Sequence, residues 1–310
     1  MATGVQTGYR CFWTNATGLG ASGTLTIQRM VAGVAATLTT VAVTISAGST
    51  IRLLVVGSRL VALVNGAPWL GVIDTNITSG TPGFIVTPVT SVANAALSAW
   101  SGGAVVQQTR VTGFSDNFTR ANENPLGNGN WSTYVEAVSN PFKIVSNVAE
   151  ASVINARNGS YVSSLTLPTD HWAEMTMAAN MNGLAAMGPQ ARGILGASYA
   201  YWRFVYSVGW IFQTQSTPGT NSLTNQGTVL SSSAPVTGDK IRIECSGNII
   251  AGFLNNVFFA ACISSAASTG IVTGMNGNPN STLTFAQFSL FTTGTFSSLP
   301  NALMLTGCGT

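Results

Sequence analysis

Ionic side chains are scarce in this sequence. Of its 310 residues, 7% are Asp, Glu, Lys or Arg, 12 basic against 9 acidic, where about 25% is usual for a soluble domain. That shortage excludes several classes. A disordered tail combines low hydrophobicity with high charge, whereas 45% of this chain is hydrophobic. A nucleic-acid face needs clustered Lys and Arg. Here the basic residues are scattered and the net charge is only +3, so no nucleic-acid partner is expected. A helical enzyme surface laced with Glu and Lys is equally missing. Histidine occurs once, at His171, so any Ser-His-Asp chemistry would have to run through that ring. Cys11, Cys245, Cys262 and Cys308 show no paired C-x2-C spacing, which argues against zinc.

Long apolar runs are missing too. A mean hydropathy of +0.33 suggests a membrane, but the uncharged stretch from Met30 to Ile51 is dotted with Gly, Thr and Ser. Within it Val41, Val43 and Ile45 alternate with Ala42, Thr44 and Ser46, the period of a half-buried strand. A spanning helix needs about 20 predominantly apolar residues in a row. The opening MATGVQTGYRC has no basic stretch leading into an apolar one, so no secretory signal is expected. The expectation is a soluble chain with no membrane partner.

What is present reads as strand. Ile241, Ile243 and Cys245 alternate with Arg242, Glu244 and Ser246, and Trp172, Glu174 and Thr176 with Ala173, Met175 and Met177. Turn-forming clusters such as Asn276-Gly277-Asn278-Pro279-Asn280 and Ser216-Thr217-Pro218-Gly219 punctuate such runs. Many short strands with turn chemistry between them predict an all-β antiparallel sandwich or jelly roll.

An internal repeat organises the chain. Ile51-Arg52…Gly57…Asn65-Gly66 recurs as Ile241-Arg242…Gly247…Asn255-Asn256 at a constant offset of 190. Each copy reads strand, Gly-centred turn, strand, then an Asn-led turn favourable to positive φ. Farther out, Gly8-Tyr9-Arg10-Cys11-Phe12 resembles Ala200-Tyr201-Trp202-Arg203-Phe204, and Ser79–Val86 resembles Ala267–Val272. A period this long implies two copies of one domain rather than a solenoid. The second copy has a long lead-in from Phe114; the first has almost nothing before Tyr9. The expected organisation is therefore a C-terminal half module over 1–109, a complete module over 110–293 and a tail over 294–310. Half a sandwich leaves open edges. Three alternatives stay open: another chain supplies strands, the half copy closes as a smaller sheet within this chain, or the chain is a processed fragment.

The segment Ser115-Asp116-Asn117-Phe118-Thr119-Arg120-Ala121-Asn122, followed by Pro125-Leu126-Gly127 and Asn130-Trp131, resembles the opening of concanavalin A-like (laminin G-like) jelly-roll modules. The hairpin Ile241–Asn256 is similar to their late hairpin, and Leu283–Phe291 to their closing strand. The resemblance covers about 114–292, with 8–101 for the half copy. It implies a jelly-roll topology. Such modules recur in bacteriophage virion proteins, minor tail and capsid-associated ones included, and in secreted bacterial glycan-binding proteins.

Candidate chemistry is thin. Glycoside hydrolysis needs two carboxylates about 5–9.5 Å apart, and no Glu-x-Asp-x-x-Glu cluster exists. In Asp170-His171-Trp172-Ala173-Glu174 a strand would put Asp170, Trp172 and Glu174 on one face, an aromatic platform beside acids, although an ordinary exposed acidic pair is the plainer expectation. Related modules often bind Ca2+. Asp116, Asp74 and Asp239 stand beside turns without Asp-x-Asp-x-Asp spacing, so no cofactor is expected beyond a structural Ca2+ as an alternative. Four cysteines permit disulfides, with Cys245–Cys262 the candidate pair and Cys11–Cys308 a second; buried free thiols are preferred for a protein assembled in a reducing cytoplasm. Glycan binding would use aromatic faces. Trp13, Trp69, Trp100, Trp131, Trp202, Trp210 and Tyr199 are the pool, with Trp202, Trp210 and Tyr199 joined by Asp170 and Trp172 as the candidate set.

The composition itself carries a function. Ordering Lys or Glu costs up to about 1.5–2 kcal/mol each, and interfaces are depleted in both. A low-charge exterior fits a protein walled in by neighbours. The expectation is a non-enzymatic virion protein of a bacteriophage, partnered by copies of itself and by neighbouring virion proteins. A glycan-binding adhesion module is the alternative.

Overall fold

The computed structural model describes residues 6–84, 99–103, 108–134, 140–181, 185–195, 200–215, 223–279 and 287–297. Among them every regular element is a strand, and no helix is long and apolar enough to cross a membrane. The strands fall in two compact units divided near Gln107.

In the first unit, β1 (Gly8–Thr14), β2 (Ser22–Val31) and β3 (Val34–Thr44) form one antiparallel sheet in that order. A second holds β4 (Ile51–Val56), β5 (Arg59–Val64) and β6 (Ala67–Ile73). Leu25, Ile27, Val43, Ile45, Leu60, Ala62, Val64 and Leu70 make the core between them, with Tyr9, Cys11 and Trp13 packed against it. Within the chain these strands pair as two small sheets around a core of their own. One polar clasp joins the sheets. Tyr9 Oη donates to Asp74 Oδ1 at 2.6 Å, and Arg29 Nη1 meets Asp74 Oδ2 at 2.6 Å.

The second unit is a two-sheet antiparallel sandwich of jelly-roll type. One sheet runs β19 (Val257–Ile263), β18 (Ile249–Leu254), β17 (Lys240–Ser246), β12 (His171–Met177), β21 (Gln287–Phe296), β10 (Val148–Ala151), β9 (Phe142–Val145). There β7 (Arg110–Asp116) also pairs with β21. The other runs β16 (Thr224–Leu230), β15 (Trp210–Gln215), β14 (Ala200–Tyr206), β13 (Ala185–Ile194), β20 (Val272–Pro279), β11 (Asn158–Val162), β8 (Trp131–Thr133). Phe204 is central to the core. It stacks on Trp210 and Phe212 and touches Phe259 of the facing sheet. A Cβ at Gly252 would lie 2.8 Å from the Phe204 ring, so only glycine fits there.

The repeat is reproduced residue by residue in one hairpin. Ile51 pairs with Val64 and Arg52 with Leu63; Ile241 pairs with Leu254 and Arg242 with Phe253. Even the irregularity between Ala62 and Leu63 recurs between Gly252 and Phe253. Asn65 (φ 50°) and Asn255 (φ 49°) hold equivalent turns. Each side-chain Oδ1 accepts an N–H, from Thr50 at 2.9 Å and from Lys240 at 2.8 Å. Thus β4, β5 and β6 match β17, β18 and β19.

The upstream match needs a correction. Aligning Tyr9 with Tyr201 puts the wrong side chains inward. Tyr9, Cys11 and Trp13 face the first core, while in β14 it is Trp202, Phe204 and Tyr206 that face the second, and Tyr201 and Arg203 that point away from it. A one-residue slip inverts every side chain of a strand.

The cysteine pairing is also corrected. Cys245 pairs across to Ile250, and Ile250 to Cys262. The two thiols therefore stand two strand spacings apart, about 9–10 Å, beyond the 4.4–6.8 Å span of a disulfide. Cys11, Cys245 and Cys262 are free; Cys308 lies outside the described residues.

Candidate functional site

The opening motif of the second unit is a structural knot. Asp116, ending β7, accepts from Phe118 N–H at 2.8 Å, from Arg120 Nη1 at 2.7 and 3.0 Å, and from Trp131 Nε1 at 2.8 Å. Arg120 also bonds Glu123 Oε1 at 2.8 Å. Phe118, at φ 56°, and Trp131 are buried. Both Asp116 oxygens are thus committed to protein donors. Asp74 is likewise held by Arg29 and Tyr9, and Asp239 by Val236 N–H and Asn255. No group of three potential metal-ligating side chains occurs among the described residues.

The Asp170–Trp172–Glu174 face holds ion pairs rather than a platform. Trp172 and Glu174 do share a face of β12, turned away from the core-facing Ala173 and Met175. Both are buried, so of the acidic pair expected to be exposed only Asp170, 45% open at its side chain, is. Arg242 bridges Glu174 at 2.9 Å and Glu244 at 2.7 Å while lying 4.3 Å from the Phe253 ring centre. Arg110 reaches Glu174 at 3.2 Å and covers the Trp172 ring at 5.2 Å. Burial pushes the Glu244 carboxyl up, with Arg242 and Arg110 partly offsetting it. Asp170 instead binds Arg192 Nη2 at 3.0 Å and Gly247 N–H at 2.9 Å.

His171 faces the core, its ring fixed as a neutral tautomer. Nδ1–H donates to Pro168 O at 2.7 Å and Nε2 accepts Arg192 N–H at 3.0 Å. Burial drives its pKa down to about 4. With both nitrogens taken by backbone, it is not placed to serve a nucleophile.

The glycan candidates fare differently from their sequence reading. Trp202 and Trp210 are 0% and 1% exposed, packed between the sheets, and Trp172 lies beneath Arg110. None presents a face to a sugar, which corrects the platform expected from them. Asp170 keeps a partly open carboxylate, and Tyr199 lies outside the described residues.

A polar and aromatic array does exist, on the face of the seven-stranded sheet turned away from the core. Asn276 on β20 accepts from Arg203 Nη1 on β14. Arg203 Nε donates to Gln213 Oε1 on β15 at 2.9 Å, and Gln213 Nε2 donates to Asn225 Oδ1 on β16 at 2.8 Å. Gln190 on β13 donates to Tyr134 Oη. Tyr134 packs 5.0 Å from Tyr161 and 6.4 Å from Tyr201, and Asn276 Nδ2 donates to Tyr201 Oη at 3.2 Å. Most of the array is buried; Tyr161 and Gln213 are half-buried and Asn225 exposed. Chemically it offers amides, a guanidinium and phenol rings, the groups that recognise hydroxyl-rich ligands, with no carboxylate among them. Choosing tryptophans by residue type missed it. The alternation in Tyr201-Trp202-Arg203-Phe204 was the available signal, because a strand with Arg203 on one face must turn Trp202 to the other.

No family model matches the chain, and no curated protein matches it. Among solved structures it is similar to the CBM2 module of Lactobacillus casei BL23 phage J-1 evolved Dit, at 10% identity and TM-score 0.38, covering 62% of this chain and 98% of that one. It is similar to the endo-β-1,3-glucanase from Pyrococcus furiosus, at 10% identity and TM-score 0.42, covering 63% and 99%. It is also similar to LamAcat from Zobellia galactanivorans, at 11% identity and TM-score 0.40, covering 60% and 97%. These neighbours are concanavalin A-like jelly rolls. At such scores the fold assignment rests on the strand order above.

Proposed function

We propose that this chain is a non-enzymatic assembly protein of a bacteriophage particle, in its tail or on its capsid, working through packing against copies of itself and neighbouring virion proteins. One observation carries the reading. Ile51 and Val55 on β4 are 40% and 42% exposed, while Ile241 and Cys245, their equivalents 190 residues on, are both 0% exposed. In the second unit β12 lies beside the matching strand and covers it; in the first no described strand does. An apolar edge left open in a chain with so few charges is suited to being covered by a neighbour. The test is cross-linking mass spectrometry on native particles. Cross-links from β1 or β4 to a neighbouring subunit support the reading; a chain absent from purified particles overturns it.

A second reading, glycan binding, is favoured by the Asn276–Arg203–Gln213–Asn225 array with its tyrosines. Retention on a glycan array, weakened by a Gln213→Ala, Asn225→Ala variant, supports it, and silence across a broad array ends it. Hydrolysis is disfavoured because the carboxylates that β12 and β17 bring together, Glu174 and Glu244, are buried and ion-paired to Arg242 and Arg110 rather than open to a cleft. No reducing ends are expected from β-glucans incubated with the protein.

A further inference from the structure

Both sheets of the first unit end on the same flank. β1 and β4 pack face to face, and each is the last described strand of its sheet. Their counterparts in the second unit, β14 and β17, have antiparallel neighbours there, β13 and β12. The flank is therefore a cut through the middle of a sandwich, showing two strand edges at once. Natural edges are usually blunted by Lys, Pro, a bulge or a covering loop. The sequences GYRCFWT and IRLLVV carry one charge each, Arg10 and Arg52, and neither Lys nor Pro, and their pairings to β2 and β5 run without a register shift.

The residue order on β4 is self-complementary. Ile51, Leu53 and Val55 point to the core side, opposite Val64, Ala62 and Leu60; Arg52, Leu54 and Val56 point the other way. In an antiparallel pair, residues directly opposite share a face. A β4–β4 pair centred on Leu53 sets Ile51 against Val55, Leu53 against Leu53 and Arg52 against Leu54. It extends the apolar row across the joint. A pair centred on Arg52 opposes two like charges, and one centred on Leu54 leaves Ile51 facing Gly57. β1 follows the same rule: centred on Cys11, it sets Tyr9 against Trp13 and Arg10 against Phe12. A two-fold axis perpendicular to a sheet at such an edge makes the edge pair antiparallel.

Resting on the assembly reading above, we propose that two copies of this chain join through this flank, β4 to β4 centred on Leu53 and β1 to β1 beside it. Each three-stranded sheet becomes six-stranded, and the open core side is closed by the partner's equivalent residues.

The test uses the full chain. Light scattering coupled to size exclusion is expected to give twice the 32.0 kDa of one chain. Val55→Lys and Ile51→Lys, whose folding is checked by near-UV circular dichroism, are expected to weaken dimerisation at least tenfold. The register is read separately, in a background with Cys11 and Cys308 replaced by Ser. Mixed Ile51→Cys and Val55→Cys chains are expected to form a disulfide dimer on oxidation, and either variant alone far less of one. A dimer insensitive to both lysines, or cross-linking without preference for the mixture, overturns the proposal. A monomer at every concentration that still enters particles through another protein overturns self-pairing and leaves the assembly reading standing. A monomer that enters no particle overturns both.

Discussion

Asp116 gathers donors from Phe118, Arg120 and Trp131, so Asp116→Ala strands the Trp131 indole N–H and the Phe118 amide and leaves Arg120 with Glu123 alone. Leaving such groups unpaired is expected to cost about 2–4 kcal/mol, read from denaturant midpoints. His171 sets a pH dependence. Its folded pKa, lowered to about 4 from 6.5, means the unfolded chain takes the proton first. Stability is then complete above about pH 6.5 and falls as pH drops toward 4, by roughly 3 kcal/mol at most. Equilibrium unfolding across that window in the wild type and in His171→Asn checks it, the variant losing this part of the slope. Asp74 moves the other way. Burial raises its pKa, but hydrogen bonds from Tyr9 and Asn76 and the Arg29 charge outweigh that and bring it to about 2. Its contribution is present above about pH 3.8 and is lost only as pH falls through 2; carboxyl NMR titration is expected to find it among the last to protonate.

At the scale of the element, the hairpins were legible in the sequence and the partners of their faces were not. Ile51–Gly66 and Ile241–Asn256 announced themselves because Asn65 and Asn255 must adopt positive φ and bond back across the turn, a local demand on residue type. Asn65→Ala and Asn255→Ala are therefore expected to cost about 1 kcal/mol each, with Gly substitutions costing less; thermal denaturation of the four variants decides. Gly252, which replaces Ala62 of the first copy, was not explicable from sequence, because its cause is the Phe204 ring from the other sheet. Gly252→Ala overpacks that contact and is expected to destabilise by about 1–3 kcal/mol, whereas Ala62→Gly creates no clash. The candidate disulfide, set against the preferred free thiols, fails for a related reason. Cys245 and Cys262 belong to one meander, but the intervening β18 keeps them apart, a fact of register rather than of proximity in the chain.

For the whole molecule, period-two alternation foretold an all-β protein, and composition one with little charge to oppose close packing. What it left open was which surfaces remain uncovered. Trp202 and Trp210, chosen as sugar platforms, are core, because alternation within β14 and β15 assigns faces more strictly than residue type does. The amide, guanidinium and tyrosine array on the opposite face draws its members from β11, β13, β14, β15, β16 and β20 and the residue after β8, so only the assembled sheet brings them together. The half module matters most at this scale: it closes a core of its own yet keeps one flank whose side chains are buried in the complete copy. A cryo-electron microscopy map of the native particle tests that flank directly. The expected map shows β1 and β4 continued by strands of an adjoining subunit, with Ile51 and Val55 enclosed; a map in which that flank faces open solvent at every copy contradicts the assembly role.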